Sequence, residues 1–372
     1  MKKLYTLLTV FLFTSMIQSV HAQTAKIEYI AHATFVVESS SGTRVLIDPY
    51  HSYGQLGYTF PTDINTDFIL ITHPHFDHDG SKSFSDNTPV YRTAGTYTYN
   101  DIKFYGIASK HAGWEGMEKR GRLSYNIIWV VEVDAIKIAH LGDNQILSAE
   151  EVKQLSDIDY VIGHPQDESL AKFSSDIVYI PNHYLLPEIS KHTNWMTSID
   201  GWLEDKKEVT RLDGNTFEFK SDRKTSRILV FKPSTKVKEW PKSYYDALAV
   251  IKDASKEFST SKDSDAFLVA LDEVIHLSPN TIEGYSYKAF LLSNLEKHSD
   301  VINVIEKAFV KVPEIDWSTE IRLRKMLAQA YEKLDQKKQA YDQYLWLYKQ
   351  SDITDPATIN TAKEFISQFE NH

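Results

Sequence analysis

Eight consecutive residues, His73-Pro74-His75-Phe76-Asp77-His78-Asp79-Gly80, hold three histidines and two carboxylates directly after the apolar run 68–72. Imidazole and carboxylate are ligand types that divalent zinc, iron and manganese accept. A loop anchored at the end of a buried strand can turn such side chains onto one small volume. One loop cannot fill the coordination spheres of two cations, and other runs end in the same chemistry. His111 follows Ile107-Ala108-Ser109, Asp143 sits in His140-Leu141-Gly142-Asp143, and His183 follows the run 177–182. His51, His192, His276, His298 and His372 stand outside any such constellation. Composition narrows the chemistry further. Among 372 residues there is no cysteine, which excludes disulfides, thiolate nucleophiles, cysteine zinc sites and iron–sulfur clusters. The balance of 41 basic against 51 acidic residues, a net charge of -10, argues against a protein that grips nucleic acid through a general positive field.

The elements that must position these residues divide the chain in two. With 42% apolar and 25% charged residues, it reads as a folded protein with room for two domains. Lys2 and Lys3 precede a mixed apolar stretch that closes on Val20-His21-Ala22, the three parts of a secretory signal peptide. Its removal takes away two lysines and no acids, leaving 39 basic against 51 acidic residues and a net of -12. No second stretch is long and apolar enough to cross a bilayer, so the chain is expected to be periplasmic or secreted. From 23 to about 235, short β-rich runs recur at 27–37, 44–47, 68–72, 127–133, 136–139, 160–162, 177–180 and 227–231. Several are continuously apolar, the mark of strands covered on both faces. From 240 to 372 the spacing turns helical. Ile275-His276-Leu277-Ser278-Pro279 is echoed 34 residues later by Phe309-Val310-Lys311-Val312-Pro313, a period that resembles the tetratricopeptide repeat. Three helix pairs to about 350 and a closing helix over 356–369 are expected, with about five extra residues around 312–320. Such a stack offers a surface for a protein partner or for self-association.

The first half resembles the metallo-β-lactamase superfamily, and within it the branch of ascorbate-6-phosphate lactonases and N-acyl phosphatidylethanolamine phospholipase D. Beyond the 73–80 loop, the resemblance rests on Ile27-Glu28-Tyr29-Ile30-Ala31-His32-Ala33-Thr34-Phe35, Val45-Leu46-Ile47-Asp48-Pro49, Ile180-Pro181-Asn182-His183-Tyr184 and Leu212-Asp213-Gly214-Asn215-Thr216-Phe217. It implies an α/β fold, the αββα sandwich, followed here by the all-α repeat domain. It also implies His73, His75 and His111 on a first metal, Asp77, His78 and His183 on a second, and Asp143 bridging both. The metals implied are two divalent ions, zinc first, with manganese or iron as alternatives. A hydroxide bridging them would attack a small ester, lactone, amide or phosphodiester, with Asp77 and Asp143 as the catalytic carboxylates. His32, Asp48 and His140 fall beside the ligands, where they would orient them. Trp114, His164 and Tyr184 are candidates for the substrate wall, and Asp79 for a loop or helix-capping carboxylate. The cationic run Lys119-Arg120-Gly121-Arg122 is the best anion-binding candidate. Two other readings remain open: a binding or scaffold protein acting through its helical repeats, and a nuclease of the same superfamily, which the acidic charge disfavours.

Overall fold

The computed structural model describes residues 24–52, 56–119, 123–190, 196–219 and 227–371. The expected leader at 1–22 lies outside them, as do His192 and residues 120–122 of the cationic run. The first sheet contains β1 (Lys26–Ala31), β2 (Thr34–Glu38), β3 (Arg44–Ile47), β4 (Phe68–Leu70) and β5 (Val90–Tyr91). The second begins with β6 (Gly95–Tyr99), β7 (Ile102–Lys110), β8 (Tyr125–Val133) and β9 (Ile136–His140). It continues through β10 (Tyr160–Gly163) and β11 (Val178–Pro181) to β12 (Val209–Arg211), while β13 (Thr216–Glu218) returns to the first sheet and β14 (Ile228–Val230) to the second. The strand orders are β13-β1-β2-β3-β4-β5 and β12-β14-β11-β10-β9-β8-β7-β6.

The strands β10, β11 and β14 pair in parallel and are almost wholly buried, as continuous apolar runs require. The two sheets share one hydrophobic core. Phe68 stacks on Phe104 across it with ring centroids 4.8 Å apart, and the Trp129 indole donates to the Ile71 carbonyl at 2.8 Å. A short α1 (Trp114–Lys119) follows β7, while α2 (Ala149–Gln154), α3 (Asp167–Ala171) and α4 (Asp200–Leu203) bracket the parallel strands. Leu155, Phe173 and Leu203 fix these segments to the core.

One run divides differently from its reading. The stretch 27–37 looks like a single strand but is a hairpin, because His32 takes a left-handed backbone, φ 56°, and turns the chain between β1 and β2. No Gly, Pro or Asn marks that turn, so local turn chemistry could not announce it.

Seven helices complete the described chain: α5 (Lys242–Ser261), α6 (Ser264–Leu277), α7 (Glu283–Asn294), α8 (His298–Lys311), α9 (Trp317–Lys333), α10 (Lys337–Lys349) and α11 (Pro356–Glu370). Each packs on its sequence neighbour, and α7 also meets α9. Asp263, Asp316 and Asp355 start α6, α9 and α11 by accepting from the amides of Ala266, Thr319 and Thr358, which satisfies donors that the helix leaves open. The fold is thus an α/β double sheet followed by an all-α stack. The extra residues of the repeat lie inside a helix. Glu283 and Trp317, which open α7 and α9, keep the 34-residue spacing, whereas α9 has 17 residues against 12 in α7.

Candidate metal centre

The parallel pairing of β3 with β4 and of β9, β10 and β11 brings their C-terminal ends to one edge. Asp48 follows β3, the 73–80 loop follows β4, Asp143 follows β9, His164 follows β10 and His183 follows β11. His111 extends β7 and bridges Asn144 beside Asp143. Side chains up to 151 positions apart in the sequence, His32 and His183, therefore meet with ring centroids 4.0 Å apart.

Three groups have ligand atoms within 4.8 Å of one another: His73, His75, His111 and Asp143; His32, Asp77, His78 and His183; and Asp143, His164 and His183. In the first, the three imidazoles form a nearly equilateral triangle with centroid separations of 4.5, 4.7 and 4.7 Å. Asp143 Oδ2 lies 3.5 Å from His111 Nε2 and 3.9 Å from His73 Nε2. Its Oδ1 reaches the other side, 3.0 Å from His78 Nε2 and 2.8 Å from His164 Nε2. Asp77 Oδ2 lies 3.1 Å from His32 Nε2 and 3.3 Å from His183 Nε2.

The opposite ring nitrogens decide which lone pairs face inward. His78 Nδ1 meets a carboxylate oxygen of Asp48 at 2.7 Å, and His111 Nδ1 meets the Ala112 carbonyl at 2.6 Å. Both partners only accept, so both Nδ1 atoms donate. Thr72 Oγ1 gives its proton to Asp48 at 2.7 Å and accepts from His73 Nδ1 at 3.0 Å. Each ring is thereby locked with Nε2 toward the cluster, the arrangement that supports a metal-bound imidazole. Among the described residues, the buried Nε2 atoms of His73 and His111 have no hydrogen-bond partner. Buried polar atoms left open are costly, and a divalent cation would satisfy these two. The donor set of imidazoles and carboxylates fits zinc, iron or manganese.

Electrostatics divide the cluster. Burial, with the neighbouring imidazoles, lowers the pKa of His73 and His75, so both stay neutral and able to ligate. Burial also lowers His32, to about 3. For His78 burial works the same way, but the carboxylates of Asp143, Asp77 and Asp48 outweigh it and raise its pKa well above the ordinary value. Burial would raise Asp77 and Asp143; the surrounding imidazoles, His78 foremost, instead hold both well below the usual carboxylate range. The site therefore keeps two carboxylates charged inside the protein.

The residues expected beside the ligands take distinct places. Asp48 is fully buried and accepts from the Thr72 amide, the Thr72 hydroxyl and His78. His140 reaches the Ala33 carbonyl with Nε2 and accepts from the Gly142 amide with Nδ1, so it shapes the turn that presents Asp143. His32, expected among these supporting groups, instead lies within ligand reach of Asp77, His78 and His183. His164, expected at the substrate wall, touches Asp143 directly; its side chain keeps 25% exposure against 13% for Asp143, which marks the open side of the cluster. Trp114 is half-buried at the start of α1, beneath Lys110 Nζ at 4.6 Å from its ring. Tyr184 departs from its expected place: only 4% exposed, it belongs to the hydrophobic core and its hydroxyl points to the Phe231 carbonyl. The chain reverses at His183, φ 56°, so adjacent side chains diverge. Asp79 accepts from Ser81 and forms two hydrogen bonds with Arg92.

His32, Asp48 and His183 all hold left-handed backbone with φ of 56°, 47° and 56°, a conformation that costs a non-glycine residue roughly 1–2 kcal/mol. Three such residues around one cluster fit stored strain at a functional site. Gly142 is left-handed too, and a Cβ there would fall on Asn126 Oδ1 and within 2.7 Å of Thr72 Oγ1. Gly142→Ala should therefore displace Asp143 and cut kcat/KM about a hundredfold, the loss that a misplacement near 1 Å produces. Unchanged kinetics with full metal content would refute this.

Residues 26–175 match the family described as "Beta-lactamase superfamily domain". A UPF0173 metal-dependent hydrolase from Thermococcus kodakarensis is 25% identical over 141 residues, which cover 32% of this chain and 61% of that protein. The chain spans less than two thirds of the length of the first curated relatives it matches, 61% and 65%. A solved structure described as a possible metal-dependent hydrolase from Veillonella parvula shares 15% identity at a TM-score of 0.40, over 53% of this chain and 100% of that one. The N-terminal domain of stress-induced protein-1 from C. elegans shares 21% identity at a TM-score of 0.30, over 34% of this chain and 98% of that one.

Proposed function

We propose that this chain, whose residues 26–175 match the β-lactamase superfamily domain, is an exported metal-dependent hydrolase with two cation sites that share Asp143. The observation that carries the reading is the double reach of that carboxylate, with Oδ2 toward His73 and His111 and Oδ1 toward His78 and His164. His73, His75 and His111 would hold one cation and Asp77, His78 and His183 the other, with His32 and His164 at the edges of the second group. Two divalent cations, zinc first, would polarise the scissile oxygen and bring an attacking water toward a pKa of about 7. The chain's own part is to fix these ligands: Asp48, Thr72 and the Ala112 carbonyl hold the rings, and Tyr179 donates to the His164 carbonyl at 2.5 Å to keep that residue beside Asp143. The open side at His164 suits a small ester, lactone, amide or phosphodiester. Export rests on the leader-like segment 1–22.

The test is metal stoichiometry with reversible chelation. Purified protein should bind close to two zinc ions per chain, lose esterase, lactonase or phosphodiesterase turnover on dialysis against chelator, and regain it with zinc. Uptake should strengthen as pH rises, because a cation displaces the proton that His78 otherwise holds. One ion or none per chain, or activity that survives complete chelation, would refute the dinuclear reading.

A further inference from the structure

The 73–80 loop has a neighbour that no ligand pattern suggests. Directly after it stands a single 3-10 turn, Ser81–Ser83. Lys82 in that turn crosses to the helical stack. Its Nζ donates to the Ile315 carbonyl at 2.9 Å, pairs with the Glu320 carboxylate, and sits 4.5 Å from the centre of the Trp317 ring. Trp317 and Glu320 occupy the first turn of α9, and Arg324 one turn on holds Glu320 from the other side at 2.7 Å. Arg92, at the end of β5, also approaches the Trp317 ring, 5.9 Å from its centre. Arg92 binds Asp79 at 2.8 and 3.1 Å and the Ser81 hydroxyl at 2.6 Å. His51, isolated in the sequence, is buried at the same seam with Nε2 3.9 Å from Glu314.

The Asp79 contacts lie one residue from His78, and Lys82 stands four residues from it on the same stretch. Asp79 follows His78, and the amides of both donate to the His75 carbonyl at 2.8 and 3.0 Å. On the other side the loop is tied to the chain after β3, where the Gly80 amide donates to the Pro49 carbonyl and the His51 amide to the Phe76 carbonyl. That side is packed tightly; a Cβ at Gly80 would come within 2.5 Å of the Tyr50 carbonyl. The loop is therefore gripped from one side by its own sheet and from the other by a cation cluster seated on α9. A carboxylate on α9 and a carboxylate in the loop hold the two cations from opposite ends, and burial makes each contact stronger than it would be in water.

We propose that the helical stack is a positioning part of the metal centre: the start of α9, through Lys82, Arg92, Ser81 and Asp79, holds the 73–80 loop with its ligands in register. This rests on the cation sites proposed above. Partners bonded to a ligand set metal affinity by about 10–100-fold; the Lys82–Trp317–Glu320 seam acts one step further out, through Arg92, Ser81 and Asp79, so the lower end of that range is expected.

The experiment uses the full chain and zinc alone, with affinity read by competition against a fluorescent chelator. Lys82→Ala and Trp317→Ala should weaken zinc binding by about 10-fold, Glu320→Gln should weaken it less, and Lys82→Arg should retain most of it. Leu271→Ala serves as the control, because Leu271 is fully buried in the helical stack, in a cluster that contains none of the seam's residues. It should lower thermal stability and leave zinc affinity within twofold. The proposal is overturned if Lys82→Ala and Trp317→Ala bind zinc as the parent does, or if Leu271→Ala weakens binding as much as they do. A parent protein that binds no zinc overturns the cation reading itself, and with it this one.

Discussion

Asp143→Ala should abolish turnover, by roughly a thousandfold or more, while the protein stays folded. Asp143 reaches both candidate groups, and its loss leaves His73 and His111 on one side and His78 and His164 on the other without that carboxylate. Stabilising charge at the scissile oxygen supplies several kcal/mol, and each ~1.4 kcal/mol lost is tenfold in rate. Asp143→Asn keeps the shape and removes the charge, so it should lose nearly as much activity. Metal content should fall from about two ions per chain to one or fewer. Circular dichroism should stay unchanged, because Asp143 takes no part in the hydrophobic core. A variant with either substitution that keeps two ions and a tenth of the parent's activity would rule out the bridging role.

The second large effect is expected at Asp48, which touches no proposed substrate. Its carboxylate is fully buried and accepts from the Thr72 amide, the Thr72 hydroxyl and His78 Nδ1 at 2.8, 2.7 and 2.7 Å. Asp48→Ala leaves these three donors unsatisfied and keeps a left-handed backbone, φ 47°, without the residue type that tolerates it. Breaking a buried charged network of this kind costs about 3–5 kcal/mol, which should lower the melting temperature of the sheet region by roughly 10 °C. Asp48→Asn separates stability from ligation. Asparagine accepts the same backbone geometry and one of the donors, so much of the stability should survive. It cannot hold His78 as a carboxylate does, and zinc affinity should still fall about 10–100-fold. Parental zinc affinity in Asp48→Asn would show that the ring of His78 needs no such anchor.

The ligand types were legible because each follows a strand whose apolar run is itself visible. His73, His75, Asp77 and His78 share one loop, and His111, Asp143 and His183 each close a run of apolar or β-forming residues. The helical half was legible for a similar reason, since helical spacing, the 34-residue echo and its prolines are local signals. His32 was harder. Its approach to Asp77 depends on a hairpin turn made by a left-handed histidine in a run that otherwise reads as one strand. Tyr184 misled in the opposite direction, because proximity in sequence to His183 does not survive the backbone reversal there.

What the sequence determined by itself is the inventory: which residues could ligate, that each lies at a strand end, that cysteine chemistry is excluded, and that an α/β half precedes an α-helical one. These follow from periodicity and residue type, which act over a few positions. Tertiary structure decided which groups meet. Strand order alone brings His164 onto Asp143 and His32 onto His183. The docking of α9 seats Lys82 on Trp317 and Glu320, more than two hundred residues away. Such contacts depend on chain topology and on the summed packing of distant surfaces, so no local pattern in either partner encodes the other.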